Sequence, residues 1–287
     1  MCRWLAYYGS PILLDELLYK PEHSLIDQSR HARMGVETLN GDGVGVGWYP
    51  DLSGADGSPS TPALFRSTGP AWGDMNLQDL AAHVRSPLFF AHIRASTGTP
   101  VQQTNCHPFR HGRWLWMHNG AIASFHELKR DLLLAVEPAL LPDILGSTDS
   151  ELMFHLALGF GLEEDPPAAV ARMICQVEET AAKHGVPDAL QMTVATSDGD
   201  RMWVFRYSTA RRSRTLFFST DVETLGRLYP DDPVMSTLDP ETRIVVSEPL
   251  GPREGAWNEV PESCFGVVQS GQDELLPLQP YLAAARR

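Results

Sequence analysis

A cysteine stands at position 2, directly after Met1, and an aromatic-rich, loosely alternating run over residues 3–8 follows at once. The alternation predicts a strand that begins with the first residues, so the fold must carry Cys2 at a strand end. Removal of Met1 leaves a thiol and a free α-amine on one residue. An α-amine has a reference pKa of about 8, close enough to neutral to act as a base, and a thiol of about 8.5 beside it can become an attacking thiolate. Any residue can follow a methionine, so position alone does not make Cys2 a nucleophile.

The 287 residues carry a formal charge of −13. No Lys/Arg run exists to displace counterions from phosphates, which argues against a nucleic-acid partner, and the same balance disfavours an anionic membrane surface. The longest weakly polar run, 152–162, is too short to span a bilayer. Cys2, Cys106, Cys175 and Cys264 show no C-x-x-C spacing, so neither a zinc site nor a disulfide framework is indicated. No apolar signal core follows Arg3, and the chain reads as cytoplasmic, where thiols stay reduced.

Along the chain, Leu13, Leu14, Leu17 and Leu18 give one helical face, and a second short helix is expected over 24–33. Asn40-Gly41-Asp42-Gly43 signals a turn before a strand at 44–49, and the Gly/Ser/Pro/Asp-rich stretch 50–62 reads as a surface loop. A buried strand fits 88–93. Another fits 114–117, ending at His118-Asn119-Gly120. Ser124 and Glu127 form a capping-box pattern for a helix with Phe125, Leu128 and Leu132 as its stripe. Helices fit 149–160 and 166–183, the second with Asp165 as N-cap, Pro166 at its first position and Gly185 past its end. From 191 onward strands return, at 192–196, 202–207, 216–219, 244–248 and 264–268. Strands, then helices, then strands predict an α+β layered fold, read as one domain over 1–287.

Three segments bring chemistry to Cys2. In His92-Ile93-Arg94-Ala95-Ser96-Thr97, a guanidinium at a strand end can clamp a carboxylate through two parallel hydrogen bonds, with a hydroxyl adding a third donor. In His118-Asn119-Gly120, a side-chain amide and a glycine N–H can aim at one developing oxyanion. In Gly146-Ser147-Thr148-Asp149-Ser150-Glu151, Asp149 can bind an ammonium group or cap the following helix. Alone, each has a plainer reading: a surface ion pair, an Asn-Gly turn, a cap. Together they provide a nucleophile, its base, an oxyanion hole, a carboxylate clamp and an ammonium acceptor, which are the parts needed to cleave the side-chain amide of an α-amino acid.

With Met1-Cys2, His92-x-Arg94-x-x-Thr97, Asn105-Cys106-His107-Pro108-Phe109, His118-Asn119-Gly120 and Thr148-Asp149-Ser150-Glu151 in this order, the chain resembles the class II, N-terminal-nucleophile glutamine amidotransferases. The resemblance implies a four-layer αββα sandwich with Cys2 at the end of a central strand. It implies Cys2 as nucleophile, Asn119 and Gly120 as oxyanion hole, Arg94 and Thr97 on the substrate α-carboxylate, and Asp149 on its α-amino group. His107 belongs to the family's structural segment behind the glutamine loop, and His118 to the site wall. Asn40-Gly41-Asp42-Gly43 stands where many members have Arg-Gly-x-Asp-Ser, and with that departure Asn40 and Asp42 are taken as wall-forming.

The start Met1 to Leu5, the segment 21–29 and the segment 40–46 are similar to stand-alone members, including the γ-glutamyl hydrolase of ergothioneine biosynthesis and the amidotransferase-like subunit of glutathione degradation. The implied activity is hydrolysis of glutamine or a γ-glutamyl amide through a thioester on Cys2, needing no metal and no organic cofactor. Three alternatives stay open: a glutaminase subunit passing ammonia to a separate partner protein, an N-terminal-cysteine hydrolase of bile-salt or penicillin amides, and a non-catalytic binding or regulatory protein on the same fold.

Overall fold

The computed structural model describes residues 2–34, 38–50, 60–96, 98–230, 238–271 and 273–287. Two antiparallel sheets form its centre. The first takes β1 (Arg3–Leu13), β2 (Val44–Trp48), β3 (Ala63–Ser67), β4 (Arg85–Ile93), β9 (Phe217–Ser219), β10 (Arg243–Val246) and β11 (Trp257–Glu259). The second takes β5 (Phe109–His111), β6 (Trp114–Ile122), β7 (Leu190–Ser197), β8 (Met202–Ser208), β12 (Cys264–Val268) and β13 (Glu274–Pro277). Their orders are β11-β9-β10-β1-β4-β2-β3 and β13-β12-β8-β7-β6-β5.

Period-2 alternation distributes each strand's side chains between two faces. On β1, Leu5 and Tyr7 pack outward against α1 (Asp15–Leu18), α2 (Leu25–His31), α3 (Met75–His83) and α7 (Val222–Leu228). Trp4 and Ala6 point the other way, meeting Leu115 and Met117 of β6. On β6, Trp114 and Trp116 face α4 (Phe125–Leu134), α5 (Asp149–Gly159), α6 (Pro166–Lys183) and α8 (Gln279–Ala285). Three apolar cores therefore separate four layers, the αββα order expected. Trp4 is fully buried at the sheet–sheet interface, and its indole N–H reaches Thr193 Oγ1 of the opposite sheet at 3.2 Å, giving a polar partner to the one group of that ring that needs it.

The register positions the site. Arg3 pairs with Ile93 and Trp4 with His92, and continuing it sets Cys2 beside Arg94 at the end of the central strand pair. The alternation that turns Trp4 inward also turns Cys2 inward. The same rule turns His92 and Arg94 of the β4 edge, and Asn119 of β6, into the inter-sheet space.

Several expectations shift. Leu13 closes β1 instead of opening a helix. β6 runs through His118-Asn119-Gly120 to Ile122, so this tripeptide lies inside a strand rather than at its end, paired with Val194, Thr193 and Met192. The helix after Ser124 forms, but Ser124 adopts φ 48° and its side chain makes no capping bond. Its carbonyl instead accepts from Glu127 N and Leu128 N. Strands β3, β5, β11 and β13 are short or carry little alternation and were not legible. Most of the expected loop at 50–62 lies outside the described residues.

Candidate active site

Cys2 Sγ lies 3.5 Å from Ala95 N, which donates to it. Burial pushes the thiol upward, against the opposing pull of the Ala95 contact and of Arg94 and Arg3, so it needs a base to become a thiolate. Its own carbonyl oxygen accepts from Arg3 Nη1 and Asn119 Nδ2, both at 3.0 Å. Arg3 Nε in turn meets Glu248 Oε2 at 2.7 Å, and Glu248 also accepts from His23 Nε2 (2.6 Å), Arg33 N (2.8 Å) and Met34 N (3.0 Å). Burial raises the Glu248 carboxyl, but these donors outweigh it and hold it down to about 2. His23 donates from both nitrogens, its Nδ1 reaching Asp27 at 2.8 Å. Burial alone would lower its pKa, yet the two carboxylates raise it. Arg3, His23 and Glu248 carry no sequence signal that links them; they are far apart in the chain and only the fold joins them.

The loop after β4 is shaped by Asp42. Its Oδ2 accepts from Ser96 N at 2.7 Å, while its N–H donates to Arg94 O at 3.0 Å. Arg94 is 3% exposed. Its Nη2 donates to Thr99 Oγ1 at 2.6 Å and Ser96 Oγ at 3.2 Å, whereas Nη1 is buried with no acceptor among the described residues. An unmet guanidinium donor costs free energy, and an entering carboxylate would satisfy it. Thr97 lies outside the described residues. Asn40 and Asp42 do not form walls of the cleft: Asp42 acts one residue back, through the Ser96 N–H, and Asn40 is fully buried.

Across the gap, Asn119 is nearly buried and Gly120 lines the opening. A Cβ at Gly120 would stand 1.9 Å from Gln191 O and 2.6 Å from His118 Nε2, so only glycine lets β6 approach β7 here. Asp149 begins α5 without capping it. Thr148 Oγ1 takes that role, accepting from Glu151 N at 3.2 Å. Asp149 instead bridges the layers, with Oδ2 accepting from Ile122 N and Oδ1 from Ser150 N, each at 2.8 Å. Cys2, Arg94, Ser96, Gly120, His118 and Asp149 thus share one cleft of about 410 Å³, whose mouth is completed by Ser124, Phe125 and His126.

Beneath it, His107 stacks on His92 with ring centroids 4.2 Å apart. Burial holds His92 down to about 3 and His107 and His118 below their ordinary value, so all three imidazoles are neutral near pH 7. The His107-Pro108 segment lies directly on β2. A Cβ on Gly45 would meet His107 O at 2.1 Å, one on Gly47 the Pro108 ring at 2.7 Å, and one on Gly43 the Cys106 sulfur at 2.6 Å. Glycine at every second residue of 43–47 clears one face of the strand, a period-2 signal present in the sequence. Asn105 ties this segment to the start of α5, accepting from Ser147 N at 2.8 Å and donating to Pro100 O at 2.9 Å.

A second cavity, of about 310 Å³, opens between β10 and β12 at the other edge of the sandwich and contains none of these residues. Among the described residues no cluster of three or more His, Cys, Asp or Glu side chains is arranged to hold a metal ion, and no helix is long and apolar enough to cross a membrane.

A cysteine at the head of the central strand of an αββα sandwich, facing a cleft with an open guanidinium, defines the N-terminal-nucleophile class of amidohydrolases. Residues 26–280 match the family described as glutamine amidotransferases class-II, and the chain belongs to that family of enzymes. It is 36% identical over 306 positions to the probable glutamine amidotransferase DUG3 of Saccharomyces cerevisiae, covering 97% of this chain and 84% of that one. It is 34% identical over 282 positions to the gamma-glutamyl-hercynylcysteine sulfoxide hydrolase of Mycolicibacterium smegmatis, covering 97% and 100%. Among solved structures, a glutamine aminotransferase class-II domain protein from Silicibacter pomeroyi superposes with a TM-score of 0.70 at 30% identity, covering 96% and 99%. The glutamine phosphoribosylpyrophosphate amidotransferase of B. subtilis (TM-score 0.61, 14% identity, 96% of this chain and 49% of that one) shares the fold.

Proposed function

We propose that this enzyme hydrolyses the side-chain amide of glutamine or of a γ-glutamyl compound through a γ-glutamyl thioester on Cys2. The observation that carries the reading is Arg94 Nη1, buried and without an acceptor among the described residues, in the same cleft as Cys2 and Asp149. A γ-glutamyl head offers a carboxylate to Arg94 and an ammonium to Asp149, and its δ-carbonyl then falls to the thiol. The Ser96 and Thr99 hydroxyls orient Arg94 for that carboxylate, and Thr97 is taken to add a hydroxyl to the clamp.

After Met1 is removed, the Cys2 α-amine takes the thiol proton and Sγ attacks the δ-carbon. Asn119 Nδ2, which has a second N–H beyond the one held by Cys2 O, and Gly120 stabilise the oxyanion. The tetrahedral adduct collapses, the C–N bond breaks, and the departing amine leaves with the proton. Water then attacks the thioester, releasing glutamate and restoring the thiol. Asp42 and His107 act at one remove, holding the loop after β4 and the floor of the cleft.

The likeness to a named γ-glutamyl hydrolase over almost the whole chain favours a peptide-like amine as leaving group. The likeness to a glutamine amidotransferase supports a second reading, in which ammonia passes to a separate partner protein. With reduced thiols as the requirement, we place the enzyme in the cytoplasm as a single domain over 1–287. The test is glutamate release from glutamine, glutathione and other γ-glutamyl amides, with Cys2→Ala as control and intact mass to establish loss of Met1. Release from a γ-glutamyl peptide above that from glutamine supports hydrolysis. No release from any substrate by the processed enzyme overturns the stand-alone hydrolase.

A further inference from the structure

His118 is used by none of these steps, yet its ring is 1% exposed and lines the cleft. Its side chain projects from β6 toward α5. Nδ1 stands 2.7 Å from Ser150 Oγ, and Nε2 stands 3.5 Å from Gln191 O. A backbone carbonyl can only accept. The tautomer that satisfies both nitrogens therefore carries its proton on Nε2 and leaves Nδ1 to accept from the Ser150 hydroxyl. Burial keeps the ring neutral against the opposing pull of Asp149 and the Gln191 carbonyl.

A serine hydroxyl has one proton, and Ser150 Oγ has a second acceptor within reach, Asp149 Oδ1 at 3.3 Å. While the proton is committed to His118, Asp149 is bound, among the described residues, by two backbone N–H groups only, those of Ile122 and Ser150. A carboxylate can accept about four hydrogen bonds, so the rest of its capacity is open to a ligand in the cleft. If His118 offered no acceptor, the hydroxyl would turn to Oδ1 and occupy part of that capacity.

We propose that His118, acting through Ser150, is a positioning residue that keeps Asp149 free for the substrate's α-ammonium group. The proposal rests on the role given to Asp149 above and adds the device that protects it. His118 lies one residue before the proposed oxyanion donor Asn119, so one strand segment would serve both ends of the glutamyl head.

The test measures binding of L-glutamate and of glutarate, which lacks the α-amine, by calorimetry on the full chain. The proteins are wild type, His118→Phe, Ser150→Ala and the double variant. Wild type should prefer glutamate. His118→Phe should weaken glutamate roughly tenfold or more, the scale of a hydrogen bond to a charged group, and change glutarate by no more than about twofold. Adding Ser150→Ala to His118→Phe should return glutamate affinity to that of Ser150→Ala alone, because the competing proton is gone. A ring acting only as packing would weaken both ligands and show no recovery, and that pattern overturns the proposal. Should His118→Phe fail to fold, the ¹⁵N imidazole spectrum of wild type decides: an unprotonated, accepting Nδ1 supports the inference, and a proton on Nδ1 ends it. Equal affinity of wild type for the two ligands would instead remove the role of Asp149 itself.

Discussion

Asn119 Nδ2 donates to the carbonyl oxygen of Cys2 at 3.0 Å, a bond that crosses from one sheet to the other. The same oxygen takes Arg3 Nη1, so the peptide after the nucleophile is held from both layers. The amide proposed to stabilise the oxyanion is thus anchored to the residue that creates it, which lowers the cost of reorganisation when charge develops.

Asn119→Ala should lower kcat by roughly 10²–10³-fold, the usual effect of losing one oxyanion donor, while binding of glutamate stays within a few-fold. Steady-state kinetics with calorimetry separates the two. Turnover at the wild-type rate would show that Asn119 serves only to hold Cys2.

Arg94→Lys keeps the charge but gives up the planar fork, and with it the simultaneous bonds to Thr99, Ser96 and a ligand carboxylate. KM should rise about 10–100-fold, consistent with loss of charge-assisted hydrogen bonds, with a smaller effect on kcat. An unchanged KM would sink the carboxylate assignment.

Gly45→Ala puts a methyl group 2.1 Å from His107 O and 3.2 Å from Phe65 O, both backbone atoms, the second in the paired strand β3. Neither can swing aside. Overpacking of this kind costs about 1–3 kcal/mol or more, and the His107 floor of the cleft should shift with it. A thermal melt should show a lowered Tm together with reduced activity; a variant as stable as wild type would show that the segment can lift off β2.

The Arg3–Glu248–His23 network should make stability depend on pH in two directions. Glu248 is depressed from 4.5 to about 2, so its contribution is full above about pH 4.5 and is lost as pH falls toward 2. His23 is raised above 6.5, so its contribution is full below that value and is lost as pH rises through its folded pKa. The network is strongest between those limits. Glu248→Ala, which leaves Arg3 buried without this partner, should cost on the order of 3 kcal/mol at pH 5.5 and remove most of the acid-side dependence. Urea titrations at pH 3, 5.5 and 8 provide the comparison.

The layered class and the motif order were legible because both rest on local patterns. The α6 helix carried its Asp165 cap, its Pro166 start and its Gly185 stop in sequence, and all three act there in the structure. Ser124 shows the limit of such signals. Its Ser-x-x-Glu spacing reads as a capping box, yet the turn out of β6 holds it at φ 48° and directs its side chain away from Glu127 N. β6 reads from sequence as ending at His118-Asn119-Gly120, because Asn-Gly favours turns locally, whereas eight-residue pairing with β7 keeps the segment extended.

By itself the sequence determined which reactive groups exist, their order, and the strand that must carry Cys2. Those are properties of composition and short-range periodicity. Only the tertiary structure decided how the groups are tuned: Arg94 Nη1 left without an acceptor among the described residues, Asp42 turned to the Ser96 N–H, Asp149 bridging β6 and α5, and Arg3 joined to a glutamate 245 residues away. Hydrogen bonding and desolvation depend on which atoms lie within about 3 Å, and in this fold those neighbours come from distant parts of the chain.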